Sequence, residues 1–159
     1  ASPSLVLATR PWTATHSSVR TLRDHHRSRT DEQLIGVAST GGVVGINFFA
    51  GFLTEGQATV SDVVDHIEHA VSVAGVDHVG LGPDFIKECY DERYPLLDEL
   101  WVEGVNAKNY VPGLEGPAGL PLVTEEMVRR GHPQDDVRKV LGENFLRDLR
   151  AELGRPVAK

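Results

Sequence analysis

Hydrophobic positions fall into two rhythms along the chain: short continuous apolar runs, and stripes spaced by three and four residues. Val43 to Phe49 is a continuous run with β-branched residues, and Val76 to Gly82 is a second one, finishing at Pro83-Asp84. Runs of this length predict strands buried on both faces of a parallel sheet. Trp12 to Thr15 predicts a strand running into His16. Leu5 to Ala8, cut off by Arg10-Pro11, reads as the end of a preceding helix or an extended lead-in, because proline cannot donate to a ladder.

The helical stripes lie between and after these runs. Thr30-Asp31-Glu32-Gln33 fits a capping box, with Leu34, Ile35, Val37 and Ala38 behind it and a stop at Gly41-Gly42. Thr59 to Asp62 opens a longer helix with Val60, Val63, Val64, Ile67, Ala70, Val71 and Ala74 as its apolar stripe, Asp62, Asp65, Glu68 and His69 opposite, and Gly75 as its stop. Pro121 to Arg130 predicts a helix with Leu122, Val123, Met127 and Val128 inside. Pro133 opens another with Val137, Val140, Leu141, Phe145, Leu146 and Leu149 on one face and a joint at Gly142. Strand, helix, strand, helix, strand implies α/β crossovers and a parallel sheet. The Gly-, Pro- and aromatic-rich stretch from Ile86 to Gly119 is too long for an ordinary connection and reads as a functional loop. Residues 1–153 read as one unit, with 154–159 a frayed tail.

Composition narrows the function classes. At 159 residues a core is affordable without a metal or disulfide staple, whereas a closed (β/α)8 barrel usually takes ~250 residues. A formal charge of -7 argues against nucleic acid as a partner. No apolar run approaches a membrane span and no signal-peptide pattern is visible, so the expectation is a cytoplasmic protein with no membrane segment. Cys89 is the single cysteine, so any metal would be held by His and carboxylates. Gly-x-Ser-x-Gly, Gly-x-x-x-x-Gly-Lys and His-Glu-x-x-His motifs are all missing, which removes the main supports of serine-hydrolase, nucleotide-binding and zincin readings.

Ligands of parallel α/β folds bind at the carboxyl ends of strands. His16 ends the first strand, Asn47 to Phe52 follow the second, and Asp84 ends the third. Imidazole is a good ligand for Zn²⁺, and a nearby carboxylate can take a proton from a metal-bound water. On the residues alone the plainer reading carries more weight: His16 satisfying a backbone carbonyl and Asp84 capping a turn. Arg20, Arg23, Arg27 and Arg29 crowd the loop after His16. Any of them could grip an anion bidentately, and their spacing does not choose among them. His25, His26, His66 and His69 read as surface histidines; His78, inside a strand, and His132, at a helix start, read as structural; Cys89 has no assigned role.

Thr15-His16-Ser17-Ser18, His25-His26-Arg27, Thr30 to Leu34, Gly41 to Phe48, Asp65 to His69, Val79 to Phe85, Gly113-Leu114-Glu115 and Leu141 to Arg147 together resemble the C-terminal half of the renal or membrane dipeptidase family, peptidase family M19. The likeness is colinear from about Thr15 to Leu149. It implies the C-terminal part of a (β/α)8 TIM-type barrel, about strands six to eight with their helices, and hydrolysis of dipeptides by a site with two zinc ions. In that resemblance His16 is a zinc ligand, Arg27 binds the dipeptide carboxylate, Asp84 handles the proton of the bridging water, and Asn47 to Phe52 line the substrate cleft. Ser28 stands where the pattern usually has Asn, and Ile86 where it often has a second acid.

The family's remaining zinc ligands lie N-terminal to anything in this chain, so the resemblance implies at most partial zinc binding here, with the missing N-terminal half of the barrel or a partner chain completing the site. A homodimer and a bacterial source are further expectations, the latter from the long insert ending near Leu120. Two rival readings stand beside it: a non-catalytic half-barrel remnant or assembly partner, and a related metal-dependent amidohydrolase acting on another amide.

Overall fold

The computed structural model of the chain describes residues 10–86, 101–102, 105–106 and 109–154. Leu5 to Ala8, Cys89, most of the long stretch after Ile86, and the tail beyond Gly154 lie outside the described residues. Strands β1 (Ala14–Ser17), β2 (Val44–Ile46) and β3 (Val79–Leu81) form a parallel sheet in the order β1-β2-β3. The register pairs Ala14 with Val44 and Val44 with Val79. Helix α1 (Asp31–Ser39) connects β1 to β2; α2 (Ala50–Leu53) and α3 (Val60–Ala74) connect β2 to β3. The architecture is α/β, as the alternation of runs and stripes predicts.

Local chemistry explains where these elements start. The Gln33 N–H donates to Thr30 Oγ1 at 3.3 Å and the Thr30 N–H to Gln33 Oε1 at 3.0 Å, so the capping box of α1 is formed. At α3 the Asp62 carboxylate accepts from both the Thr59 N–H and its hydroxyl, each at 2.7 Å. Two glycines let the three strands close up beneath His16. A Cβ on Gly45 would lie 2.3 Å from the Thr15 carbonyl oxygen, and one on Gly82 would lie 2.1 Å from the same atom. Neither position has room for a side chain.

Strand lengths differ from the sequence expectation. β2 stops at Ile46 rather than Phe49, because Asn47 Oδ1 accepts the Phe49 N–H at 2.7 Å and turns the chain into α2, where a loop was expected. Val76–His78 is one 3-10 turn rather than the start of β3. His78 Nδ1–H donates to the Gly42 carbonyl at 2.9 Å, so this histidine is structural but precedes the strand.

The C-terminal half packs helices on this frame. A 3-10 turn, Pro117–Gly119, leads into α4 (Leu120–Arg129); α5 (Gln134–Arg138) follows and joins α6 (Asn144–Leu153) through a widened turn at Lys139–Glu143 that contains Gly142. Val123, Met127, Val137 and Val140 are buried, whereas Leu122, Val128, Leu141, Leu146 and Leu149, expected inside, are exposed. Helical periodicity marks an apolar stripe, but only neighbours that are present can cover it. Asn144 ties α6 to the sheet, its Nδ2 donating to the carbonyls of Val76 at 2.7 Å and Val79 at 2.8 Å. The Phe145 ring fills the space over Gly80.

An ion network fastens α4 to α3. The Arg130 guanidinium reaches Asp65 at 2.7 Å, Glu68 and Glu126 at 2.8 Å, and the Ser61 carbonyl at 2.9 Å. Hydrogen bonds from Arg129 and Arg130 pull the Glu126 carboxyl down to about 2. Burial alone would lower Arg130; the hydrogen bonds to Glu126 and Asp65 outweigh it and raise its pKa. Two further strands, β4 (Trp101–Val102) and β5 (Val105–Asn106), form an antiparallel pair. After them, Tyr110 bridges antiparallel to Phe49 beyond the end of β2. Among the described residues, no helix is long and apolar enough to cross a membrane.

Candidate functional site

His16, Ser17, Ser18, Arg27, Ser28, Asn47 and Phe52 line one small pocket at the carboxyl ends of β1 and β2. Four of the five residues singled out from the sequence therefore meet in one place; Asp84, at the end of β3, is not among the lining residues.

His16 projects from the exposed side of β1. Its Nε2 lies 3.3 Å from the Arg27 guanidinium and its Nδ1 lies 2.9 Å from Thr15 Oγ1. A guanidinium can only donate, so Nε2 is the acceptor and the ring proton sits on Nδ1, held by the Thr15 hydroxyl. The Nε2 lone pair thus faces the Arg27 guanidinium at the pocket.

Arg27 is placed by the loop of residues 19–29. The Arg29 N–H donates to the Ser18 carbonyl at 2.7 Å and the Arg20 N–H to the Arg29 carbonyl at 2.8 Å, closing the loop's base. Each arginine in it has a different neighbourhood. Arg20 clamps the carbonyls of His25 and His26, at 3.1 Å and 2.9 Å from its Nη2. Arg23 donates to the Gly51 carbonyl at 3.2 Å and pairs with Glu55 at 3.0 Å. Arg29 lies over the Trp12 ring at 5.6 Å, and burial, then the charges of Arg27 and Arg20, lower its pKa. Arg27 lies over the Phe52 ring at 5.7 Å, within the pocket. Tertiary placement separates four residues that spacing could not.

Asn47 is 1% exposed, with its N–H on the Ser17 carbonyl at 2.7 Å and its Oδ1 on the Phe49 N–H. Phe52, on α2, packs at a tilt against His25 with ring centroids 4.9 Å apart and edge-on against Phe49 at 5.9 Å.

Asp84 has φ 58, a left-handed conformation that non-glycine residues rarely adopt and that concentrates at functional positions. The Tyr110 hydroxyl holds it there, donating to the Asp84 carbonyl and accepting the Ile86 N–H at 2.9 Å. Tyr110 is 4% exposed and packs on Phe49 at 4.3 Å.

Sequence reasoning missed Tyr110 and misplaced His66. His66 is 1% exposed rather than on the surface, with hydrogen bonds to the Val19 N–H and the Leu53 carbonyl, both at 3.0 Å. A signal was available, since residue 66 lies three after Val63 and four before Ala70, both in the apolar stripe. Nothing local marked Tyr110.

Among the described residues, no three His, Cys, Asp or Glu side chains gather where a metal ion could be held. The donor set fits one ligand, His16, and not a whole zinc centre.

Comparison with known proteins supplies the family. The sequence profile of membrane dipeptidase (peptidase family M19) matches residues 3–109. An uncharacterized dipeptidase of Schizosaccharomyces pombe is 38% identical over 123 residues, 71% of this chain and 29% of the relative. Among solved structures, an amidohydrolase from Pseudomonas aeruginosa superposes with a TM-score of 0.76 at 32% identity, over 95% of this chain and 48% of that one. A metallopeptidase from Rhodobacter sphaeroides, solved with a phosphinate mimic of the dipeptide L-Ala-D-Ala, superposes with a TM-score of 0.72 at 27% identity, over 92% of this chain and 37% of that one. The chain spans about half or less of the length of the relatives it matches. With the profile extending over most of its length, the chain belongs to the membrane dipeptidase family of metallopeptidases, family M19.

Proposed function

We propose that this chain is the C-terminal part of a zinc-dependent dipeptidase barrel, contributing about strands six to eight and part of the active site. The observation that carries the reading is the convergence of His16, Arg27, Asn47 and Phe52 on one pocket at the strand ends. The three-stranded parallel sheet, with β1 and β3 at its edges, and the chain's half-length match to its relatives support the incomplete barrel.

In the proposal His16 would hold zinc through Nε2 in place of the Arg27 guanidinium it accepts from in this structure, with its Nδ1 proton on the Thr15 hydroxyl. The other ligands come from the N-terminal half of the barrel or a partner chain, and the completed zinc site would supply Lewis acidity. The chain's own residues do the rest. Arg27, whose guanidinium is aligned over Phe52, binds the free carboxylate of a dipeptide as a fork. Asp84 takes the proton from the attacking water and returns it to the departing amine, so that water and peptide become two amino acids with no net proton change.

Zinc analysis and a dipeptide-hydrolysis assay test the reading. The chain alone should bind well under two zinc ions and turn over nothing; about two ions with turnover would overturn the incomplete barrel. In a protein that completes the site, Asp84→Asn should lower kcat by orders of magnitude with zinc retained, and near-normal turnover would remove Asp84 from the proton step. Arg27→Met should raise KM for dipeptides and leave turnover of C-terminally amidated dipeptides, which lack the carboxylate, unchanged. A second reading, hydrolysis of another amide, has the amidohydrolase neighbour in its favour. A panel of L,L and L,D dipeptides against N-acyl amino acids separates the two.

A further inference from the structure

His66 is the titratable side chain that the fold buries most completely among the described residues, and it does not line the pocket. It sits on the inner face of α3 and joins two other elements. Nδ1 accepts the Val19 N–H and Nε2–H donates to the Leu53 carbonyl, each at 3.0 Å. An amide N–H can only donate and a carbonyl only accept, so the ring is neutral with its proton on Nε2. Val19 opens the 19–29 loop, and its bridge to Arg29 spans the segment that carries Arg27. Leu53 ends α2 next to Phe52, the ring beneath the Arg27 guanidinium. One imidazole therefore fastens both the loop and the aromatic wall of the pocket to the same helix.

We propose that His66 is a positioning residue for the His16 and Arg27 pocket: its neutral imidazole holds the 19–29 loop and the end of α2 in register, and its protonation releases the loop. This rests on the reading of Arg27 and His16 as site residues. A proton on Nδ1 would face the Val19 N–H with a second donor, losing that bond where no water replaces it. Burial holds the His66 pKa below the ordinary histidine range; the Leu53 carbonyl and the charges of Asp65 and Asp62 act upward against it, and His69 acts downward. Charged groups of the packed elements have partners of their own: Arg23 with Glu55, Asp31 of α1 with His69, and Arg130 with Asp65. Between the lowered folded pKa and the unfolded value near ~6.5 the unfolded chain binds more protons, so the stability from neutral His66 is present above about pH 6.5 and declines below it.

The test uses this chain as wild type, His66→Gln and His66→Leu, followed by ¹⁵N NMR from pH 8 to 5. Glutamine can accept from Val19 and donate to Leu53 without titrating; leucine can do neither. The wild type should show His66 as the Nε2–H tautomer, with the Val19, Arg27 and Phe52 amides and the Arg27 Nε–H shifting at the His66 midpoint. His66→Gln should keep the fold and lose that shared titration. At pH 8 His66→Leu should exchange the Val19 amide about tenfold faster than His66→Gln. Unchanged midpoints for Val19, Arg27 and Phe52 in His66→Gln would assign the titration to His25 or His26 and overturn the proposal. So would equal Val19 exchange in the two variants. If His66→Leu does not fold, the midpoints in His66→Gln decide. No readout depends on turnover, so failure here is distinct from failure of the dipeptidase reading.

Discussion

The ends of β1 and β3 occupy equivalent places in the sheet and hold their candidate side chains by opposite means. At β1 the polar 19–29 loop is tied by hydrogen bonds among backbone, arginine and histidine, with buried His66 behind Val19. At β3 the chain is held in a left-handed conformation by a tyrosine hydroxyl and a cluster of Phe49, Phe85 and Tyr110 rings. The Tyr110 clamp is a hydroxyl that donates to one backbone group and accepts from another, whereas the His66 clamp needs a neutral imidazole, because a second ring proton would remove its acceptor. One fold thus fixes the His16 imidazole through a histidine-backed loop and the Asp84 carboxylate through a tyrosine hydroxyl.

The largest expected effect strikes both ends together. Gly82→Ala places a Cβ against the Thr15 carbonyl where the strands converge, and should destabilise the chain by about 3 kcal/mol, read by urea unfolding. A small loss would mean that the strand ends yield independently. Tyr110→Phe confines the damage to β3. The Asp84 carbonyl and Ile86 N–H lose their shared partner, for a loss of about 1 to 2 kcal/mol that is equal at pH 8 and pH 5.5. A pH-dependent loss would contradict the contrast. In the wild type, acidification from pH 8 to 5.5 should increase hydrogen exchange at Val19 and leave Ile86 unaffected; parallel increases would show one cooperative unit instead of two supports. The smallest effect has the opposite sign. Asp84→Gly removes the left-handed penalty and should stabilise by about 0.5 kcal/mol, seen as a slightly higher unfolding midpoint, while removing the proposed proton carrier.

Much of the frame could be read from residue order. The Thr30 and Gln33 box, the α3 stripe ended by Gly75, and the apolar runs at β2 and β3 are local features whose chemistry is complete within a few residues. The ends of strands were harder: Asn47 turns the chain three residues early through its own side chain, and the 76–78 turn replaces the expected start of β3. The exposed Leu141, Leu146 and Leu149 show the same limit from another side, because an apolar stripe does not say which part of it finds a neighbour.

For the candidate site, residue types and the family resemblance point to His16, Arg27, Asn47, Phe52 and Asp84. Which side chains share a pocket was decided by tertiary structure, through the glycine contacts that bring three strand ends together and the loop bonds that give Arg20, Arg23, Arg27 and Arg29 different surroundings. For His66 the α3 stripe encodes only the burial, and its partners belong to that second category, as Tyr110 does wholly. Their partners lie 47 and 26 residues away along the chain, so their roles arise from long-range hydrogen bonds that sequence spacing does not encode.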